Sequence, residues 1–460
     1  MSQPPQPASA TVLVGGRYEI QFAQRLQHLD SPQAKAYGVR DLEGGSRHRF
    51  ALVLHRNGYG RFCQFEIFAA FDAGGMLRAA AQGTVGVADG EHERMALILE
   101  RPAGGRVMAQ GGKLPERLDE RAVIDRILIP LEESLRALHR AGLTHRAIRP
   151  DNLFFRDAAD GPAALGECLS APPGRNQPDA FEPIESAMAW PPGRGDGTPA
   201  SDMFALGVTV VTLLSGRWPE QRNPPVRLLR RIEHGSFPAL AGRLRCSHDM
   251  EDLLAGLLYD DPNGRWSVDQ FRAWLNRRSV GRRSFSRAKS GSRSFRIEGL
   301  SCTTPRAVAY ALSRHFDAAR TQVAAGDLTR WLERSLGELR MADAVRRIVG
   351  DGDQEEIARP KIDDKTISRL CRILDPHGPV YYDGAAVMLD GFSHAVAEAM
   401  LTGDVAAENA LESMLARALP IERLPEDWSQ ARQQEIKVQF RTYQGFVRGS
   451  ATGTGIERCL

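Results

Sequence analysis

Lysine is nearly missing from this chain of 460 residues. Of its 60 basic residues only Lys35, Lys113, Lys289, Lys361, Lys365 and Lys437 are lysine, and the other 54 are arginine. With abundant alanine, glycine and proline, this reads as a GC-rich coding bias and a bacterial source, so arginine counts by themselves carry little functional weight. No charge of one sign dominates either. A formal net charge of +3 excludes the polyelectrolyte character that would point to a specific nucleic-acid partner. Cysteine is sparse: Cys63, Cys168, Cys246, Cys302, Cys371 and Cys459 are scattered, with no CxxC pair and no histidine at zinc-ligand spacing. That pattern predicts reduced structural thiols in a cytoplasmic protein and no metal centre built on sulfur.

Long hydrophobic runs are also lacking. The most apolar stretch, Met203 to Leu214, has twelve residues, against the roughly 20 that a membrane-spanning helix needs. A buried core helix accounts for it. The start, MSQPPQPASATVLVGG, has neither a basic opening nor an apolar run, so it does not read as a signal peptide. Cys459 stands next to last and does not fit a prenylation box.

What is present falls into blocks. Residues 1–16 are rich in proline and glutamine and read as disordered. From Arg17 to Glu100 the runs RYEIQFAQRL, AKAYGVRDL, HRFALVLHR and RMALILE predict strands bounded by turn residues. One helix interrupts them, in RFCQFEIFAAFD, where Phe62, Phe65, Phe68 and Ala69 recur at helical spacing. From Asp119 the texture is helical, beginning with LDERAVIDRILIPLEESLRALHRAG and its closing Gly142. Asn276 to Arg296 then carries eight basic residues and no acidic one, and residues 277–296 read as a solvated linker that can touch an acidic partner. Beyond it, Thr304 and Pro305 supply an N-cap and a first-turn proline. Leu328, Trp331, Leu332 and Leu336 line one helical face, with Trp331 as packing. VYYDGAAVMLDGF suggests a small hairpin, and helix resumes after it.

One motif stands apart. HRAIRPDN, His145 to Asn152, resembles the protein-kinase catalytic loop, whose pattern is H-R-D followed by four residues and Asn. Other kinase landmarks follow in order. GRYEI resembles the start of the small lobe, LILERPAGGRV the fifth strand and hinge, TPASDMFALGVTVVTLLSGRWP the F helix, and LLYDDPNGRWSV the end of the large lobe. The resemblance covers residues 17–276. It implies an α+β, two-lobed protein-kinase-like fold, followed by a mainly α-helical C-terminal domain at 297–460.

Phosphoryl transfer needs a cation on the nucleotide phosphates, carboxylate and amide oxygens for magnesium, and a carboxylate near the acceptor hydroxyl. In the resemblance, Ala147 stands at the catalytic aspartate and Val53 at the phosphate-binding lysine, with Glu66 as the acidic residue of the C helix. Leu26 to Tyr37, where the phosphate loop belongs, contains no glycine. In ALGECLS, Glu167 replaces the magnesium-binding aspartate, and Glu167 and Asn152 are the remaining weak candidates for a metal or nucleotide. His145, Arg146, Asp202 and Arg265 keep the architectural positions of the fold. Arg265 lacks its usual glutamate, because Pro191 and Pro192 stand there. Only Ser170 and Ser186 offer hydroxyls in the activation-segment equivalent, so switching by phosphorylation is not expected.

These losses together predict a pseudokinase: not an enzyme, with no cofactor beyond residual ATP or magnesium binding, acting as a protein-binding scaffold or regulatory adaptor in signalling. An atypical nucleotide-dependent transferase or nucleotide sensor using Glu167 and Asn152 is the alternative. A third reading makes the C-terminal module the active part and the kinase-like lobe its sensor.

Overall fold

The structure is a computed structural model and describes residues 12–45, 48–56, 58–71, 74–86, 93–109, 117–219, 223–278, 280, 289–350, 362–422, 424–426 and 428–449. It divides into two compact units. The first comprises Met1–Asn176 with Thr212–Trp218 and Val268–Arg278; the second comprises Gln177–Val211, Pro219–Ser267 and Ser279–Leu460.

The first unit opens with a six-stranded antiparallel sheet. Its strands are β1 (Leu13–Val14), β2 (Tyr18–Arg25), β3 (Ala34–Asp41), β4 (Arg49–Leu54), β5 (Ala79–Gly86) and β6 (Glu93–Glu100), in the order β1-β2-β3-β4-β6-β5. The runs that alternate or stay apolar in the sequence become β2, β3, β4 and β6. The edge strand β5, AAAQGTVG, escapes the pattern because small residues carry no clear period. Strand β4 lies in the middle of the sheet and is buried on both faces from Phe50 to Leu54, as a continuous apolar run requires. Val14, Tyr18, Ile20, Ala51, Val53, Val85, Ala96 and Ile98 form one buried cluster. Of the segment expected to be disordered, Leu13–Val14 pairs in the sheet as β1 and supplies Val14 to that cluster, while residues 1–11 lie outside the described residues.

The helix expected within 61–72 is short, Phe65–Ala69. The long helical run that follows is real. Asp119 caps it by accepting from Ala122 N at 2.7 Å; a single π-helical stretch, Ile124–Leu128, precedes Ile129–Arg140, and Gly142 ends it with φ +71°. A hairpin of Leu153–Phe155 and Ala163–Leu165 follows, and helix Val268–Leu275 packs near Ile129–Arg140, with Arg272 Nε 3.9 Å from Glu132.

Helix Pro199–Ser215, which belongs to the second unit as far as Val211, is the apolar run seen in the sequence and is buried along nearly its whole length. No helix among the described residues is long and apolar enough to cross a membrane. The C-terminal helices do not close on themselves alone. One apolar cluster joins Ile184, Met188, Leu228 and Ile232 to residues from Phe295 through Tyr381. One division between the compact units, Arg278/Ser279, falls within the boundary expected at 277–296, and the second unit also takes in Gln177–Val211 and Pro219–Ser267. The linker expectation also stops early. Residues 281–288 lie outside the described residues, but Lys289 pairs with Glu338 at 2.6 Å, Gly291 N donates to Thr303 O at 2.7 Å, and Phe295–Ile297 pairs as a strand with Leu300–Cys302.

Thr304 accepts from Ala307 N and caps helix Pro305–Arg314, as its sequence position implies. Trp331 packs edge-on against Phe295 and donates from Nε1 to Arg293 O at 2.7 Å. The expected stripe of Leu328, Trp331, Leu332 and Leu336 is buried, yet the helix breaks at Gly337, whose φ of +71° suits glycine. Residues Val380–Tyr382 and Ala385–Val387 form the hairpin, and helices Phe392–Thr402 and Val405–Ala416 follow.

The five described cysteines are free thiols. Burial pushes the Cys302 thiol up to about 12 and the Cys371 thiol higher still. Unfolded thiols ionise near pH 9 while these two stay protonated in the fold, so their contribution to stability falls as pH rises above 9. Alkylation at pH 8 with peptide mapping is expected to modify exposed Cys63 quickly and to reach Cys302 and Cys371 only on unfolding. Equal native labelling of all three would contradict this packing.

Candidate functional site

The connection between β2 and β3 occupies the place of a phosphate loop and is folded onto itself. Residues Gln27–Leu29 make a 3-10 turn, and Asp30 then accepts from both Arg25 guanidinium nitrogens at 2.5 Å and from Ala36 N at 2.8 Å. These donors hold the Asp30 carboxyl below the usual carboxylate range despite its burial. A loop without glycine cannot lie flat against a phosphate. This one instead closes as a side-chain-bonded turn.

Three contacts tie it down within the first unit. Arg106 reaches up from the segment after β6 and donates from Nη2 to Asp30 O at 2.7 Å and to His28 O at 3.3 Å, while Nη1 donates to Asp151 O. Ser31 Oγ lies 3.2 Å from Ser170 Oγ, and Gln33 Nε2 donates to Asn176 Oδ1 at 3.2 Å. Arg106 also stacks over Phe154 with 4.6 Å from guanidinium to ring centre. Burial pushes its guanidinium down to about 10, opposed by the Asp151 carboxylate, so it remains a cation at neutral pH. A charged side chain of the protein thus bridges the gap between the loop and the 150–152 turn.

The segment resembling a catalytic loop is stapled from inside. His145 donates from Nε2 to Gly166 O at 3.2 Å. Asn152 spends its amide hydrogens on Ala147 O and Glu167 O, both at 2.9 Å, and Gly166 N donates to Asn152 O at 2.7 Å. An added Cβ at Gly166 would strike the Asn152 side chain, so only glycine fits there. Arg146 is buried with φ +58°, a left-handed conformation that costs an ordinary residue about 1 kcal/mol and persists only where its surroundings hold it. Arg61 enters from the other side and donates to Thr144 O at 2.8 Å, and its own backbone N–H donates to Leu169 O.

Glu167 uses both carboxylate oxygens locally. Oε2 accepts from Leu169 N at 2.9 Å and Ser170 N at 2.8 Å, and Oε1 accepts the Ser170 hydroxyl. A carboxylate that caps a turn in this way has its lone pairs aimed at its own backbone. In this arrangement Asn152 and Glu167 come together through the Glu167 carbonyl, while the two side chains present no shared oxygen cage to a cation. Among the described residues no group of three or more His, Cys, Asp or Glu side chains is placed to hold a metal ion.

The remaining expected positions do not converge. Val53 is buried with Ala51 and Ala96 in the core of the sheet, so the position of the phosphate cation is an apolar packing site. Glu66 is exposed on its short helix, Phe65–Ala69, whose inward face is made by Phe65 and Phe68. Ala147 is partly exposed. Sequence reasoning missed Arg106, Arg61 and Ser31, since nothing in the pattern GGRV or GYGR separates an arginine that bridges backbone carbonyls from a solvated one.

In the second unit the architectural residues are arranged around Phe204. Its ring lies between two guanidiniums, Arg231 at 5.2 Å and Arg265 at 5.0 Å. Arg265, which lacks the usual glutamate, donates to three carbonyls: Tyr259 O at 2.7 Å, Ala200 O at 2.9 Å and Asp260 O at 3.3 Å. Arg231 donates to Asp179 O at 2.9 Å and Glu182 O at 2.6 Å, and burial pushes its guanidinium down to about 10. Asp202 is fully buried in the first turn of helix Pro199–Ser215. Ser186 is nearly buried and donates to Glu182 at 2.7 Å, and Ser170 is fully buried, so both hydroxyls face inward. Trp190 N donates to Ala386 O at 2.7 Å and Met388 N to Gly193 O at 2.8 Å, so the end of this segment pairs with the C-terminal hairpin region.

No protein-family profile matches the chain. Among curated proteins it is similar to ribosomal protein S6 kinase alpha-6 of Mus musculus, at 26% identity over 190 residues, covering 37% of this chain and 25% of that protein. It is also similar to serine/threonine-protein kinase H1 of Mus musculus, at 28% identity over 191 residues, covering 39% and 43% respectively. The chain thus spans a quarter to under half of the length of these relatives. Among solved structures, the kinase domain of Mycobacterium tuberculosis PknI aligns at 19% identity with a TM-score of 0.43, covering 60% of this chain and all of that one.

These relatives overturn one expectation. Both curated relatives are named as kinases, a ribosomal protein S6 kinase and a serine/threonine-protein kinase, and this contradicts the inference from Ala147, Val53 and the glycine-free loop that the chain is not an enzyme. Missing residue types report on three positions only, and catalysis persists elsewhere after such residues are removed, at a lower rate.

Proposed function

From the premise that this chain carries a protein-kinase-like fold, we propose that it is a regulatory adaptor of a signalling pathway, engaging other proteins through that fold. The observation that carries the proposal is the closed loop 26–33, tied to Asp151, Ser170 and Asn176 where a nucleotide would otherwise be gripped. Free thiols at the five described cysteines support a reducing, cytoplasmic setting. The basic stretch 277–296 adds weak, salt-sensitive contact with an acidic partner.

A second reading has a specific observation behind it. The names of the relatives favour phosphoryl transfer, which in this chain would use Glu167 and Asn152 after the loop has opened. One experiment separates the two: thermal unfolding of the full chain with ATP, with and without Mg²⁺ or Mn²⁺, alongside transfer of labelled phosphate to protein. The adaptor reading expects no change in Tm at millimolar nucleotide and retention of partners on affinity purification from the native cell. Saturable, metal-dependent stabilisation with phosphate transfer would replace it with the transferase.

A further inference from the structure

Between Phe181 and Gly195 the chain makes only short turns, such as Ile184–Ala187 and Pro191–Gly193, and yet every residue except Glu185, Trp190 and Pro191 is buried. Irregular backbone normally runs over a surface, where water takes its polar groups. Here the C-terminal module takes several of them. Trp190 N donates to Ala386 O at 2.7 Å, Met388 N donates to Gly193 O at 2.8 Å, and Gly197 N donates to Asp390 Oδ2 at 2.9 Å. Side chains close the same contact. The Tyr381 hydroxyl lies 3.4 Å from Met188 Sδ, Ile184 and Ala187 share an apolar cluster with Tyr381, and Trp190 packs on the cluster of Val387 and Phe392.

The two backbones meet across glycines. A Cβ at Gly391 would collide with the carbonyl of Gly193, and one at Gly195 would collide with the Asp390 side chain. Gly391 has φ −99° and ψ 0°, a conformation open to any residue, so closeness of approach and not backbone freedom requires glycine there. Any side chain at 391 would hold the two backbones apart.

Modification offers no rival way to fix the segment. Ser186 is buried, and its hydroxyl donates to Glu182 at 2.7 Å. A phosphate there would set about two negative charges against that carboxylate in a buried site, which disrupts instead of ordering.

We infer that the C-terminal module works as a permanent brace for residues 184–197. The turn Leu389–Gly391 and the hairpin ahead of it hold the segment in one conformation by backbone pairing across a glycine seam, in place of an added phosphate. This gives the module a role that the adaptor reading does not contain. It draws on nothing in loop 26–33, and its failure leaves that reading untouched.

Hydrogen exchange of the full chain, read by mass spectrometry, tests the brace with Gly391→Ala and Gly391→Val as wedges and Asp390→Ala as the loss of an acceptor without added bulk. Amides of 184–197 are expected to exchange at least about tenfold faster in each wedge, the larger side chain giving the larger effect, while those of helix Pro305–Arg314 keep wild-type rates. Asp390→Ala is expected to speed exchange around Gly197. Ser186→Glu, which carries a charge of the same sign as a phosphate, is expected to speed exchange of the segment as well. Should both wedges fail to fold, Asp390→Ala decides through the amides around Gly197. Wild-type exchange across 184–197 in the variants that fold overturns the proposal. So does equal acceleration in 184–197 and in helix Pro305–Arg314, which marks general destabilisation, or slower exchange of the segment in Ser186→Glu, which marks a phosphorylation switch.

Discussion

Arg106→Ala is expected to release residues 26–33 and to lower the free energy of unfolding by about 1.5–3 kcal/mol, the range for hydrogen bonds to a charged group. The guanidinium holds the carbonyls of His28, Asp30 and Asp151 together, and its loss leaves those acceptors facing a gap the size of an arginine side chain. The stacking on Phe154 is lost with it. Arg106→Lys is expected to rescue little, because an ammonium is a point donor and cannot span three carbonyls as a planar fork does. Hydrogen exchange reads the effect locally. Amides of 26–36 are expected to lose protection while those of helix Pro199–Ser215 keep theirs. Unchanged exchange in the loop, with unchanged stability, would show that Arg106 is an ornament of the closed state and would remove the main support for the adaptor reading.

The second large effect lies in the other unit. Arg306 Nε sits 3.1 Å from Asp375 Oδ1, and the Asp375 side chain is 2% exposed. Burial lowers the Arg306 pKa, but the Asp375 carboxylate outweighs it and the net shift is upward, which marks a pair that is charged on both sides. Arg306→Ala strands a carboxylate in a dry interior and is expected to cost about 3–5 kcal/mol. Because most of that cost is the uncompensated charge, Arg306→Ala combined with Asp375→Asn is expected to recover a large part of it. Urea denaturation of the wild type, both single variants and the double variant closes the cycle. Additive single effects would mean that the two side chains are neighbours without being a pair.

Helix Pro305–Arg314, which carries Arg306, shares its core with Leu228 and Ile232. Chain cleavage within 281–288 would therefore leave an apolar face uncovered on each fragment. A basic, serine-rich stretch reports on solvation of the stretch itself, while the division into cores depends on which apolar faces meet, so the second unit reaches beyond the boundary read from composition and takes in Gln177–Val211 and Pro219–Ser267.

How much was legible varies with the range of the interaction. Strands β2, β3, β4 and β6 follow from alternation and apolar runs, and the ends of helices follow from local chemistry at Asp119, Gly142, Thr304 and Pro305. The series of kinase landmarks pointed to the fold, because five of them follow in order across residues 17–276. The replacements at Val53, Ala147 and Glu167 were legible as identities. Their consequence for activity was not, and the names of the relatives contradict the simple inference from loss to inactivity. Arg265 shows the limit from the other side. The sequence says that its usual glutamate is absent, and only the fold says that Tyr259, Ala200 and Asp260 carbonyls take its place.

By itself, then, the sequence determined the elements, the helix termini and the kinase-like order of motifs, because periodicity and capping act over a few residues. The tertiary structure alone decided that Arg106 closes the loop, that Glu167 turns onto its own backbone, that Glu66 faces water and that the C-terminal helices share a core with residues 184–232. Each of these depends on which side chains meet across tens to hundreds of positions, and a buried arginine and a solvated one are spelled with the same letter.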